Sequence, residues 1–304
     1  MTQAVPLEQP RKLRRVHRFT VADALIYFFI TLVSLTCILP FWQVFAISIS
    51  SNSAVISNQV FLIPRGFQLV AYASILQDAS MIRSLVFTVW LTATFTILGM
   101  ALIICAAYPL SRNRLVGHNA ISTFFLITLY FGAGIIPNYL LINSLHMINT
   151  FWSLLLPLAF SPFNMIIMKS YIENNIPISL EEAAKLDGCS DIGILLRVIL
   201  PLSKPVIATL CLFFAVGRWN SFQDALFYIS SQNLFPLQLK LNNLISASQD
   251  TSSISNEAGG GLAMQSSQIV QAACTMFATI PIIIVYPFVQ KYFVKGVMIG
   301  AVKG

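Results

Sequence analysis

The stretch EEAAKLDGCSDIGILLRVILPLSKP, residues 181–205, sets acids, small residues, a glycine and two prolines between long apolar segments. Ser179, with Glu182 three positions on and Pro177 just upstream, has the S-x-x-E form of a capping box, so a helix is predicted to start near Leu180. The acids of its first turn favour the positive end of the helix dipole. Gly188 ends or bends this helix, and Ala183, Ala184 and Gly188 leave a surface on which another backbone can come close. A second amphipathic helix is expected over residues 190–199, and Pro201 and Pro205 bracket the return to the next apolar segment. The residues alone leave two readings open, an ordinary interfacial loop and a docking element.

What surrounds the stretch is a membrane protein. The chain has 304 residues, 57% of them hydrophobic and 10% charged, with a mean hydropathy of +0.77, whereas a soluble domain carries about 25% charge. That balance argues against a soluble enzyme. A helix needs about 20 apolar residues to cross a bilayer core, and six such runs occur, at residues 24–47, 84–110, 119–144, 151–171, 205–229 and 268–292. They are too long for membrane strands and lack the alternation such strands need. The expected fold class is therefore an all-α polytopic membrane protein of six transmembrane helices. The first run is also longer than the apolar part of a signal peptide and lacks a small-residue cleavage site, so it is kept as a span.

Lys and Arg set the expected orientation. The N-terminal RKLRRVHR, the SRNRLVGH loop, the loop holding residues 181–205 and the tail after Phe288 carry all but four of the 18 basic residues. Arg65, Arg83 and Lys240 lie on the opposite side, and Arg218 falls inside the fifth run. The positive-inside rule then places both termini in the cytoplasm. The net charge of +7 is a topology signal and not a nucleic-acid surface. Residues 1–22 form a basic cytoplasmic arm, and residues 23–304 one membrane domain, with spans two to six over 84–292 and the polar loop over 173–204.

Outside loops are expected at residues 48–83, long enough for a short strand and an interfacial helix, and at 230–267, Ser-rich and flexible at Gly-Gly-Gly. Pro40, Pro137, Pro157, Pro162, Pro281 and Pro287 fall inside runs and are expected to kink them. No internal repeat is visible. The five cysteines, at 37, 105, 189, 211 and 274, imply neither a disulfide nor a metal framework and read as small apolar fillers.

The opening stretch resembles the EAA loop of binding-protein-dependent ABC importer permeases, whose pattern is E-A-A, three residues, G, nine residues, then I-x-L-P. Glu182, Ala183, Ala184, Gly188, Leu200 and Pro201 match at that spacing, with Val198 where the family usually has Ile. Asn149-Thr150, Trp219-Asn220-x-Phe222 and the tail GVMIGAVKG are similar to the carbohydrate, maltose-type group, although His146 stands where relatives often have Gly. The resemblance implies a type I ABC importer permease in a bacterial inner membrane, with the loop serving as a cytoplasmic coupling helix. Its partners would be a second, homologous permease, two ATP-binding cassette subunits, an extracytoplasmic solute-binding protein and a carbohydrate, within the lipid bilayer. ATP and Mg would belong to the partner ATPases; this chain has no G-x-x-x-x-G-K-[ST] loop. On that reading Glu182 is the charged contact to an ATPase, Ala183 and Ala184 pack closely, Gly188 makes the turn, Leu200 and Pro201 close the motif, and Glu181 and Asp187 are further acidic contacts.

For the substrate path, ionisable groups within spans draw the eye first. Arg218 and Asp224 stand six residues apart, on different faces of a regular helix, whereas Gly217, Asn220 and Asp224 share one face. Trp219 offers a ring that could stack on a sugar or simply pack. Asn138, Tyr139, Asn143 and Asn164 could bond sugar hydroxyls or neighbouring helices. A desolvated Arg218 would reward a carboxylate-bearing sugar, such as an oligouronide or alginate fragment, over a neutral oligosaccharide. The rival classes are an ion-coupled secondary transporter, expected to show a pair of broken helices and mid-span acids, and an intramembrane enzyme. The three histidines, at 17, 118 and 146, lie outside the runs.

Overall fold

The computed structural model of the chain describes residues 20–112, 114–254 and 267–301, with side chains described up to residue 247 and again over 267–287. Most of the basic arm, Asn113 in the SRNRLVGH loop, the Gly-Gly-Gly segment and the last three residues of the tail lie outside the described residues. In chain order the helices are α1 (Val21–Ser48), α2 (Asn52–Ile56), α3 (Val70–Gln77), α4 (Ala79–Leu110), α5 (His118–Tyr130), α6 (Ile135–Ser144), α7 (Phe151–Leu155) and α8 (Pro162–Asn175). There follow α9 (Ile178–Leu186), α10 (Asp191–Ile194), a π turn (Leu195–Ile199), α11 (Leu200–Leu202), α12 (Lys204–Asn220), α13 (Gln223–Tyr228), α14 (Leu237–Ile254) and α15 (Ser267–Ala301). Among the described residues no strand occurs, so the loop at residues 48–83 holds two short helices and not the expected strand.

Three helices, α1, α4 and the part of α15 over Ser267–Pro287, are long and apolar enough to cross a membrane unbroken. The remaining predicted spans are broken. The third is α5 and α6, bent by 113°, and the fifth is continued from residues 191–202 through an 83° bend into α12 and then interrupted before α13. The fourth is α7 and α8. Glycine and proline chemistry explains two of these breaks. Gly134, at φ +87°, is the N-cap of α6, which puts Pro137 in the first turn, where its missing N–H costs nothing. Pro162 opens α8 behind Ser161, whose Oγ accepts the Asn164 N–H. Pro40, Pro281 and Pro287 instead stay within continuous helices.

The core lies where α4 crosses α8 and α12. Phe95, Ile103, Met165, Met168, Ile172, Leu210 and Phe214 are buried together there. Gly99 lets α4 approach: a Cβ on it would sit 2.7 Å from Phe214 Cε1 and 2.9 Å from the Ala159 carbonyl oxygen. A second core joins the C-terminal end of α1 to α2, α3, α4, α14 and α15 through Ala46, Val55, Ile75, Met81, Leu241, Val270 and Ala273. The helix α14 corrects the reading of 230–267 as a loop. Leu237, Leu241, Leu244 and Ile245 repeat at helical spacing and face that second core, a pattern hidden by the intervening serines and asparagines.

The turn after α6 carries a prediction. His146, at φ +54°, donates its N–H to Asn143 O while Met147 donates to Ile142 O, a Schellman C-cap with a non-glycine residue at the left-handed position. Relieving that backbone cost, His146→Gly is expected to stabilise the chain by about 1 kcal/mol, read as a raised thermal unfolding midpoint in detergent.

Candidate functional site

Two places in the fold gather functional side chains. The first is the helix pair α9–α10 at one end of the bundle. Gly188 donates its N–H to Lys185 O at 3.0 Å and Cys189 to Ala184 O at 2.9 Å, with Gly188 at φ +80°, so α9 ends in a Schellman turn. Ser190 then caps α10, accepting the Gly193 N–H. Pro201 lacks the N–H that Arg197 O would receive in an α-helix, and the chain widens there into the π turn before α11. The expected second helix is thus present and runs three residues further, to Leu202.

The capping box does not form. Pro177 is the N-cap of α9, which takes Ser179 into the first turn. Glu181 is also placed otherwise than expected of a docking acid: it is 3% exposed. Arg112, just beyond the end of α4, donates from Nε to Glu181 Oε1 at 2.7 Å, with Nη2 equally close, and reaches Ile176 O and Ser111 O as well. The Tyr108 hydroxyl lies 3.5 Å from Glu181 Oε2. Around this buried pair, Arg114 and Lys185 both bind Asp191, at 3.0 and 3.4 Å. The Lys185 hydrogen bond and the Arg114 charge hold the Asp191 carboxyl below the usual carboxylate range, so this outer pairing persists at neutral pH and is lost as the pH falls through that lowered value.

What remains exposed is a platform. Glu182, Ala183, Asp187, Gly188 and Pro201 face outward, and Ala184 and Leu200 are half-buried. Leu186 stands 90% exposed at the end of α9, a large apolar side chain that no sequence pattern singled out.

The second place is the middle of the membrane domain. Arg218 is 3% exposed, and its Nη1 meets Asp224 Oδ2 at 2.5 Å and the Leu154 carbonyl at 3.1 Å. The helix stops at Asn220, so the two residues do not obey the face assignment of a regular helix and come together across the break, where Ser221 Oγ also donates to Asp224 Oδ1. The Arg218 guanidinium also lies 5.6 Å from the centre of the Phe95 ring. Arg218 therefore ties α7, α12 and α13 together, and its charge is already neutralised. Trp219 is 7% exposed and donates its indole N–H to Ala278 O at 3.1 Å, which makes it a packing residue against α15 and not a sugar platform. Asn164 is buried in the first turn of α8. Asn138, Tyr139 and Asn143 lie exposed on α6, with Tyr139 stacked on Tyr228 at 6.3 Å. Gly217 is exposed with open space around it.

Of the residues expected on a path, Asn220 lines one of two cavities. It borders a space of about 300 Å³ between α12, α14 and α15, together with Phe222, Gln238, Asn242, Thr275 and Thr279. Gln43, Asn58, Gln268, Gln271 and Thr275 line an adjoining space of about 430 Å³ between α1, α2 and α15.

Residues 14–299, nearly the whole chain, match the family of binding-protein-dependent transport system inner membrane components. The chain belongs to that family. The permease is 40% identical, over 93% of its own length and 98% of the relative's, to the polygalacturonan/rhamnogalacturonan transport system permease protein YtcP of Bacillus subtilis (strain 168). It is also 40% identical to Protein LplC of the same organism, over 88% of this chain and 90% of that one. A chain in the crystal structure of a bacterial ABC transporter involved in the import of the acidic polysaccharide alginate superposes on the permease with a TM-score of 0.80, at 31% identity, over 91% of this chain and 99% of that chain. The fold is the type I ABC importer permease fold, and the permease is the non-catalytic membrane component of an importer. Its breaks in spans three and five are thus features of an ABC permease, although broken helices were the expected mark of a secondary transporter.

Proposed function

We propose that this permease forms half of the translocation path of an importer of acidic oligosaccharides, of the oligouronide class, and receives the free energy of ATP hydrolysis through α9–α10. The observation that carries the coupling role is the exposed platform around Leu186, set on a helix that the Arg112–Glu181 pair fixes to the end of α4. Glu182 supplies a charge at its rim, Ala183 allows close approach, and Gly188 sets the angle between the two helices. The other half of the path is a second, homologous permease, and two ATP-binding cassette subunits receive the platforms. With Arg112, Arg114 and Lys185 gathered at this end, the platform faces the cytoplasm, and both termini lie on that side. A solute-binding protein delivers the sugar to the opposite end.

The acidic substrate rests on the relatives: the 40% identical permease is named for polygalacturonan and rhamnogalacturonan, and the 31% identical chain comes from an alginate importer. The deciding experiment uses the reconstituted importer and measures ATP hydrolysis stimulated by its binding protein loaded with oligogalacturonides, neutral galacto-oligosaccharides or amino acids. Oligogalacturonides are expected to stimulate most. Stimulation by neutral sugars alone would remove the acidic class, and stimulation by amino acids alone would remove the carbohydrate.

A further inference from the structure

The two cavities share Thr275 in their linings and lie along one face of α15, where Gln268, Gln271, Thr275 and Thr279 follow at intervals of three, four and four residues. Such a row of polar side chains is costly in a membrane span unless something polar meets it. Thr275 lies eight residues into the span over Ser267–Pro287, about 12 Å along it. Among the described lining residues of both cavities no Asp, Glu, Lys, Arg or His occurs. Apart from the Cys274 thiol, the polar groups of the lining side chains are amides and hydroxyls.

Their hydrogen-bonding state is partly fixed. Thr275 Oγ1 gives its proton to Gln271 O at 2.8 Å and Thr279 Oγ1 to Thr275 O at 2.7 Å, so each oxygen is left as an acceptor pointing away from its own helix turn. Asn220 spends one N–H on Val216 O, which leaves its carbonyl oxygen and a second N–H available. Gln238 and Asn242, one turn apart on α14, face the same space, and Phe222 adds an apolar ring. Acceptors in a row, with a few amide donors and an aromatic edge, match a ligand rich in hydroxyl donors. The smaller cavity has room for one sugar ring and the pair of cavities for a short oligosaccharide.

We propose that this uncharged groove along α15 binds the hydroxyl faces of successive sugar units of the transported oligosaccharide. The proposal rests on the carbohydrate reading above. It places the holding of hydroxyls in a groove that Arg218, paired with Asp224, does not line.

The test uses the complete importer, with partner permease, ATPases and binding protein, in proteoliposomes, and measures uptake of labelled trigalacturonate at saturating loaded binding protein. Thr275→Val, which keeps the shape and removes the acceptor, is expected to slow uptake about threefold to tenfold, the worth of one hydrogen bond. Thr275→Ser restores the oxygen and should restore most of the rate, and Asn242→Leu should resemble Thr275→Val. Thr36→Val, on an exposed part of α1 outside both cavities, is the control and should transport as the wild type does. Unchanged uptake in both Thr275→Val and Asn242→Leu overturns the proposal. So does loss of the partner permease on co-purification, which would make the groove a protein interface. If the wild type imports a neutral oligosaccharide in place of trigalacturonate, the acidic reading fails by itself, and the same variants test the groove with that sugar.

Discussion

Arg112→Met is expected to destabilise the permease by about 3–5 kcal/mol, the usual cost of leaving one member of a buried ion pair without its partner. Glu181 would stay in an environment where it is 3% exposed, and the Ile176 and Ser111 carbonyls would each lose a guanidinium donor. Thermal unfolding in detergent measures the effect. The double variant Arg112→Met, Glu181→Leu should recover much of the loss, because an apolar pair of similar volume needs no desolvated charge. If the single variant unfolds at the wild-type temperature, the pair contributes nothing to the seating of α9.

The other large effect concerns coupling. In Gly188→Val the added Cβ meets nothing within 4 Å, so the site has room at that atom, but a β-branched residue resists φ +80° at a cost of about 1–2 kcal/mol. The Schellman turn should open and carry α10 and Leu186 out of register with the ATPase. The chain is expected to insert and keep its spans, while binding-protein-stimulated ATP hydrolysis falls about tenfold or more, as when an interface loses a hot-spot anchor. Gly188→Asn, which tolerates the left-handed region, should retain most of the stimulation. Undiminished stimulation in the valine variant would reject the docking role of α9–α10.

These two sites show what a sequence discloses and what it hides. The α9–turn–α10 design was legible because Gly188, Ser190 and Pro201 each act on the backbone within a few residues of themselves. The membrane class followed from composition and from apolar runs of spanning length. Hidden were the effects that depend on distant partners. Glu181 and Glu182 are adjacent acids, and only the arrival of Arg112, 69 positions away, buries one and leaves the other exposed. Arg218 looked like a bare cation in a span because Ser221 and Phe222 gave no proline or glycine warning that the helix stops there. The inference from it to an acidic sugar therefore rested on a charge that Asp224 cancels, and the support for that class comes from the relatives. The groove was missed for a different reason: Gln238 and Asn242 lie in a segment read as loop, and Thr275 and Thr279 in a span were indistinguishable from threonines that bond only their own helix.

The long helix α4 has a mechanical consequence. Just past its end Arg112 meets α9; 22 residues and about 33 Å before the last helical residue, Leu110, Thr88 Oγ1 accepts the Leu237 N–H at 2.7 Å, at the start of α14. The same α14 supplies Gln238 and Asn242 to the groove. On the proposed coupling role, a push delivered to α9 has an unbroken helix to travel along, held by the Arg112 contacts just past its end and by the Thr88 bond in its third turn. If α9 receives that push, softening either contact is expected to let ATP hydrolysis run without moving the sugar.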